Sequence, residues 1–390
     1  LFWIGQLVSW SGTWLQTTAQ AWLVLQLTTS PLALGLVTTF QFLPFMLLSL
    51  FGGVIADRFP KHRLITATQA ASLLQALVFG ALIATNTIQL WHVYLLAVVQ
   101  GTINALDNPT RQAFAVELVG KDFLVNAVAL NAMQFNAARV LGPAIAGVLI
   151  AQIGIAPAMF IRAASGAFAV VTLLMLRPAE FVEVAHAPRG RVLTQLREGV
   201  RYAWRTPAVL GVLMIVAVIG TFGYNFNVIL PLLAGFVLNT DATGFGIISA
   251  AMGIGSLGGA VFNAYTRRVT LPRLLISSAC FSLLLAAVAV TPFFWLSSLL
   301  LVALGFAGVT FATAANTLIQ LTVSDELRGR VMSLHVMLFI GSTPIGAFVI
   351  GALSDTASVP VALLVCAVLC ALGVAGAGMY QRQKGTGNRE

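Results

Sequence analysis

In a chain of 390 residues with 8% charged side chains, an acid and a base set among apolar residues invite a chemical reading. Arg139 stands near the middle of an apolar run, where a guanidinium is costly and is a functional candidate by default. Its one plausible acidic partner is Asp107, at the end of another such run, with Arg111 one helical turn farther on. Such a pair could pass a proton or hold a gate. Neutral polar side chains accompany these groups at helical spacing. Gln6, Ser9, Thr13, Gln16 and Gln20 form one stripe, and Gln100, Asn104, Asp107 and Arg111 a second. Thr310, Thr313, Thr317 and Gln320 form a third, and Asn131, Gln134, Asn136 and Arg139 add a fourth set. Steps of three and four keep each stripe on one helix face. The expected use is the lining of a wet cavity, and the rival use is hydrogen bonding between packed helices. Nothing resembles an enzyme centre. His62, His92, His186 and His335 are scattered, and Cys280, Cys366 and Cys370 sit inside apolar runs with no acid or His nearby. We therefore expect no catalytic residues, no metal and no cofactor, and no ATP-binding loop is present in the sequence.

The elements that must position these groups follow from composition. With 59% hydrophobic residues and only 12 acids and 21 bases, the chain cannot cover itself with a water-facing surface, so lipid must solvate most of its outside. Apolar runs of about 20 residues read as transmembrane helices. Twelve are expected, at 1–27, 31–56, 64–85, 89–107, 123–152, 155–176, 208–238, 243–265, 273–291, 293–315, 331–353 and 359–380. The chain opens at Leu1 inside an apolar run, read as a clipped first helix and not a targeting segment. The expected organisation is a six-helix half (1–176), a linker with an amphipathic helix (177–207), a second half (208–380) and a tail (381–390). In the linker Leu193, Leu196, Val200 and Trp204 recur at helical spacing, with Arg191, Arg197, Arg201 and Arg205 on other faces. All bases except Arg139 and Arg162 fall in alternate loops or the tail. Because cytoplasmic loops collect bases, both termini are expected in the cytoplasm. Arg162, a turn and a half into its segment, could snorkel outward. Nucleic-acid binding is excluded as the meaning of the +9 charge, since the bases are spread over six membrane-edge sites.

The loop between the second and third segments, "GGVIADRFPKHRLI", resembles the loop signature of the major facilitator superfamily. Gly53, Asp57, Arg58 and Lys61 fit that pattern, Arg63 keeps its basic count, and Pro60 departs from it. In that family such a loop gates the outward-facing state. "RRVTLPRLLI" echoes it in the second half, with Arg268 falling on Arg58 and Arg273 on Arg63. "SGTWLQTTAQAWLV", "DNPTRQAFAVELV" and "NAARVLGPAIAG" are similar to the branch of drug and siderophore exporters that includes enterobactin exporters. "GPAIAG" is similar to the family's antiporter signature, with Gly142, Pro143 and Gly147 as its bend and close-packing residues.

The resemblance implies an all-α membrane protein of two pseudo-symmetric six-helix halves, in a bacterial inner membrane. It implies a monomeric secondary transporter that exports small amphipathic molecules, drug- or siderophore-like, by alternating access and proton antiport. Its partners are then the bilayer, a small-molecule substrate and protons. The family commonly places a base in the fourth segment where this chain has Ala97, which leaves Asp107 as the proton carrier, in exchange with Arg139. An importer or facilitator of the same fold, and a membrane sensor or scaffold that does not transport, are the alternatives.

Overall fold

The computed structural model describes residues 2–120, 123–177, 181–182, 192–266 and 269–386. Within a few of its helices, notably over 49–58, 135–136 and 192–196, only the backbone is described. Among the described residues all regular structure is helical. The chain runs α1 (Phe2–Leu27), α2 (Pro31–Arg58), α3 (Lys61–Ala84), α4 (Leu90–Val119), α5 (Leu124–Ile153), α6 (Ile155–Leu174), α7 (Val192–Arg205) and α8 (Pro207–Val218). It continues through α9 (Phe226–Leu232), α10 (Ala242–Tyr265), α11 (Leu271–Val290), α12 (Phe294–Thr322), α13 (Asp325–Phe339), α14 (Thr343–Thr356) and α15 (Val359–Thr386). Nine stretches are long and apolar enough to cross a membrane among the described residues.

Most helices begin and end within a few residues of the apolar runs. The exceptions have local causes. α4 carries on to Val119 instead of stopping at 107, because Pro109 lies inside it without breaking it. That extension moves Arg111 from a loop into the helix interior. The run at 331–353 begins instead at Asp325 and divides into α13 and α14 around Ile340–Ser342. Pro344, in the first turn of α14, cannot donate to a preceding carbonyl and so suits a new helix start. The 208–238 run becomes α8 and α9 with wide π-helical turns at Ile219–Gly223 and Leu233–Val237. Asn225 follows the first turn, and its Nδ2 donates to the Thr221 carbonyl at 2.6 Å, satisfying a backbone acceptor that the widened turn frees.

Two compact units result. Unit 1 comprises 1–29, 40–188 and 240–250, and unit 2 comprises 30–39, 189–239 and 251–390. In unit 1, α1 packs on α5 and α6, and α3 on α4 and α6. Small residues set these distances. A Cβ on Gly142 would come within 2.4 Å of the Trp14 Cβ, so α5 lies against α1. One on Gly147 would come within 2.7 Å of both the Ala242 carbonyl oxygen and the Gly246 Cα. In unit 2, α11 packs on α12 and α15, and α8 on α15. α7 is tied to α13 by an ion pair of Glu198 with Arg330 at 2.6 Å, and Trp204 is 69% exposed.

Candidate functional site

The candidate site lies inside unit 1, where α4 turns its polar stripe toward α3. Asp107 is 5% exposed. Thr68 Oγ1 and Gln69 Nε2 donate to its Oδ1 at 2.7 and 2.9 Å. Arg111 Nε and Nη2 donate to its Oδ2 at 3.0 and 2.5 Å. Both carboxylate oxygens are therefore engaged by donors, those from Arg111 being charged. The pairing is local: Arg111 is four residues on, directly above Asp107 on the same face. The guanidinium carbon of Arg111 also stands 5.3 Å from the Trp10 ring centroid, a cation–π contact that fixes its other side.

A second guanidinium enters from α6. Arg162 is 2% exposed. Its Nη2 donates to Ser72 Oγ at 2.7 Å and its Nη1 reaches Ser165 Oγ at 3.5 Å. Ser72 donates in turn to Gln100 Oε1 at 3.3 Å, and Gln100 Nε2 donates to Asn104 Oδ1 at 3.0 Å. Ser9 of α1 donates to Gln69 Oε1 at 2.9 Å. Four helices thus converge on one hydrogen-bonded network. It surrounds a cavity of about 70 Å³ whose wall includes Thr13, Ser72, Asn104, Asp107, Arg111 and Arg162. That volume suits a few waters or an ion. Drug-sized ligands need roughly 300–1,000 Å³, so the cavity is too small for a molecule of that size.

The structure distributes the residues singled out in the sequence unevenly. Thr13, Gln100 and Asn104 line this cavity. Gln16 instead bonds Gln75 of α3 at 2.9 Å, inside the helix packing. Gln6 and Gln20 are buried in α1, and Asn131 is half-buried in α5. The stripe on α1 therefore serves helix packing as much as a cavity wall. Among the described residues no ion pair joins Arg139 to Asp107, whose partner is Arg111. Arg139 is half-buried and its Nε has no hydrogen-bond partner. Thr310 donates back to the Phe306 carbonyl of its own helix and borders a separate void of about 1,050 Å³ among α10, α11 and α12. The rim of that void is open, with Ile276 and Leu299 63% and 65% exposed. Thr313 and Thr317 are half-buried on α12.

Of the loop signature, Lys61 opens α3 and pairs with Glu117 of α4 at 2.7 Å, while Arg63 is exposed. The side chains of Asp57, Arg58 and Asn136 lie outside the described residues, and of Gly53 only the helical backbone is described. Gly142, Pro143 and Gly147 are buried contact positions of α5. Arg162 does not snorkel outward; it points into the network, where Ser72 and Ser165 meet it. Two signals in the sequence could have located the site more fully. Thr68, Gln69, Ser72 and Gln75 put a polar face on α3, and Arg162 precedes Ser165 by one turn in an otherwise apolar helix.

The family of transmembrane secretion effectors matches the chain over residues 1–385. The multidrug efflux pump Tap of Mycolicibacterium fortuitum is 28% identical over 366 residues, which cover 90% of this chain and 88% of that protein. The staphyloferrin A transporter of Staphylococcus aureus is 26% identical, over 88% of this chain and 86% of its own length. Among solved structures, a bacterial homolog of the human lysosomal transporter Spinster superposes with a TM-score of 0.76 at 14% identity. It covers 98% of this chain and 96% of its own, a likeness of fold.

Proposed function

Since the chain belongs to the transmembrane secretion effector family of the major facilitator superfamily, we propose that it exports small amphipathic molecules in exchange for protons, by alternating access. It is a multi-pass membrane transporter and not an enzyme. The observation that carries the coupling half of the reading is Asp107. It is the only carboxylate among the buried residues described, and its four donors leave it no idle lone pair on either oxygen's protein side. Taking up a proton would remove the acceptor that holds Arg111, Thr68 and Gln69 together. Losing it would reassemble them. A network with two such arrangements is a physical means of linking proton occupancy to helix packing.

Twelve crossings fit this reading. To the nine apolar stretches, α1, α4 and α5 add helices of 26, 30 and 30 residues. At 1.5 Å per residue each exceeds the bilayer's apolar thickness. These three carry three of the four polar stripes, which lower their hydropathy. We take the halves as 1–176 and 208–380, joined by the linker that holds α7. The protein would act as a monomer in a bacterial inner membrane, with both termini and the base-rich loops in the cytoplasm. The signature loop around Asp57 is taken as a gate and the Gly142–Pro143–Gly147 bend as a mark of export. Relatives named as a multidrug efflux pump and a staphyloferrin A transporter support small-molecule cargo, and the deep positive charge favours cargo that is amphipathic and neutral or anionic.

The test uses everted membrane vesicles carrying the chain, energised to an acid interior, with a fluorescent amphipathic dye. Export by proton antiport predicts dye accumulation inside and a partial collapse of the pH gradient on dye addition. Asp107→Asn should abolish the gradient-driven part while leaving dye equilibration down its own gradient. Accumulation only with the gradient reversed would instead make the protein an importer, and no movement in either direction would make it a sensor or scaffold.

A further inference from the structure

The small cavity in unit 1 contains more positive charge than its own side chains neutralise. Arg111 is balanced by Asp107. Arg162 borders the same cavity, and its only side-chain partners among the described residues are the hydroxyls of Ser72 and Ser165. Hydroxyls solvate a cation but do not cancel it. A guanidinium presents five N–H donors, and here the supply of acceptors runs out. Arg162 Nε is buried with no partner, and so is Arg111 Nη1. Two buried guanidiniums facing one carboxylate leave one unit of positive charge away from water, where an unpaired ion is expensive. The void beside them, at about 70 Å³, exceeds one water's share of liquid volume, about 30 Å³. It is large enough for a monatomic ion with a water beside it.

We propose that this cavity binds one small inorganic anion of chloride size, held by the charge of the two guanidiniums, Arg162 and Arg111, in its wall. The size of the void disfavours phosphate or sulfate. A single negative charge brings the site to neutrality, whereas a divalent anion would overshoot it. The proposal reaches beyond the exporter reading and does not require it, because the ion is detected by binding and not by transport. It also adds a linkage. With Asp107 ionised, one anion completes charge balance. With Asp107 neutral, both guanidiniums face the anion, which then binds more tightly. Proton and anion would therefore load together.

The experiment uses the purified full chain in detergent, titrated with chloride at constant ionic strength against gluconate. The readouts are the thermal unfolding midpoint and quenching of tryptophan fluorescence by bromide, since Trp10 lines the cavity. The expected result is a saturable rise in the midpoint with chloride and a saturable bromide quench that Trp10→Phe removes. Arg162→Gln should weaken the anion at least about tenfold, and Asp107→Asn should tighten it. Opposite signs from two neighbouring substitutions separate a charge site from a general loss of packing. If Arg162→Gln does not fold, the direction of the Asp107→Asn effect and the Trp10→Phe control still decide. The same unsaturated response to every salt, or weaker binding in Asp107→Asn, overturns the proposal. Saturation by formate but not by chloride overturns the choice of ion.

Discussion

The Lys, Arg and Asp side chains buried among the described residues, Lys61, Asp107, Arg111 and Arg162, all belong to unit 1, whereas the buried interior of unit 2 includes a cluster of rings. Tyr224 lies 5.0 Å from Phe226 and 4.9 Å from Phe339, between ring centroids. Phe281 joins them at 6.1 Å from both Tyr224 and Phe226. His335, also buried there, stacks on Phe339. The hydroxyls of unit 2 mostly turn inward on their own helices: Ser277 to Leu274, Ser282 to Ser278, Thr310 to Phe306. Most of those in unit 1 do the same, but three also reach a polar side chain of another helix: Ser9 to Gln69, Thr68 to Asp107 and Ser72 to Gln100. The two sequence halves echo each other, yet the register that lays Arg273 on Arg63 also lays Ala279 on Gln69 and Leu285 on Gln75. At these two positions the first half carries long amides and the second a small or apolar side chain. On the proposed reading the contrast is a division of labour: proton and ion chemistry in unit 1, dispersion-held packing in unit 2.

The largest expected effect strikes the charged side of that comparison. Arg111→Leu leaves Asp107 buried beside an apolar side chain, and breaking a buried pair from one side costs about 3–5 kcal/mol. The thermal midpoint in detergent should fall accordingly. The double variant Asp107→Leu with Arg111→Leu removes both charges, so it should recover most of that midpoint while remaining uncoupled from the pH gradient. Recovery of coupling together with stability would refute the assignment of the proton to this pair.

The aromatic side answers to a different kind of substitution. Phe281 is fully buried at the centre of the ring cluster, and Phe281→Ala should cost about 3–5 kcal/mol through lost contacts and a cavity. The midpoint should drop about as far as in Arg111→Leu. In vesicles held well below that midpoint, the pH dependence of whatever dye transport survives should match the parent protein. A shifted pH dependence would mean that the two units share the coupling chemistry, and the division of labour would be lost.

How much of this was legible beforehand depends on the range of the interaction. Helix positions follow from apolar runs because lipid imposes length and hydropathy residue by residue, and α5, α6, α10 and α11 begin and end close to the runs that announced them. The stripe from Gln100 to Arg111 was legible for the same reason: helical spacing is local. Its partners were not. That Arg111 and not Arg139 holds Asp107 turned on α4 continuing past Pro109, where proline lowers helix propensity but tertiary packing prevails. Arg162 could be read as a snorkelling base because its depth was visible and its facing was not. The facing is fixed by how α6 lies on α3, with Ser72 opposite it.

The finest test of the contrast compares two serines at matching places in the echo, Ser72 on α3 and Ser282 on α11. Both are buried. Ser282 donates to the Ser278 carbonyl of its own helix at 2.9 Å, an acceptor already engaged in the helix ladder. Ser282→Ala therefore strands nothing and should change stability by less than about 0.5 kcal/mol. Ser72 is shared by two helices, accepting from Arg162 and donating to Gln100. Ser72→Ala takes an acceptor away from a guanidinium already short of them, and leaving a buried donor unmatched costs about 1–3 kcal/mol. Thermal midpoints of the two alanine variants, measured side by side in the same detergent, should differ with Ser72→Ala the lower. Equal midpoints would mean that Arg162 finds another acceptor when Ser72 is removed, and that its charge is better accommodated than the geometry of unit 1 indicates.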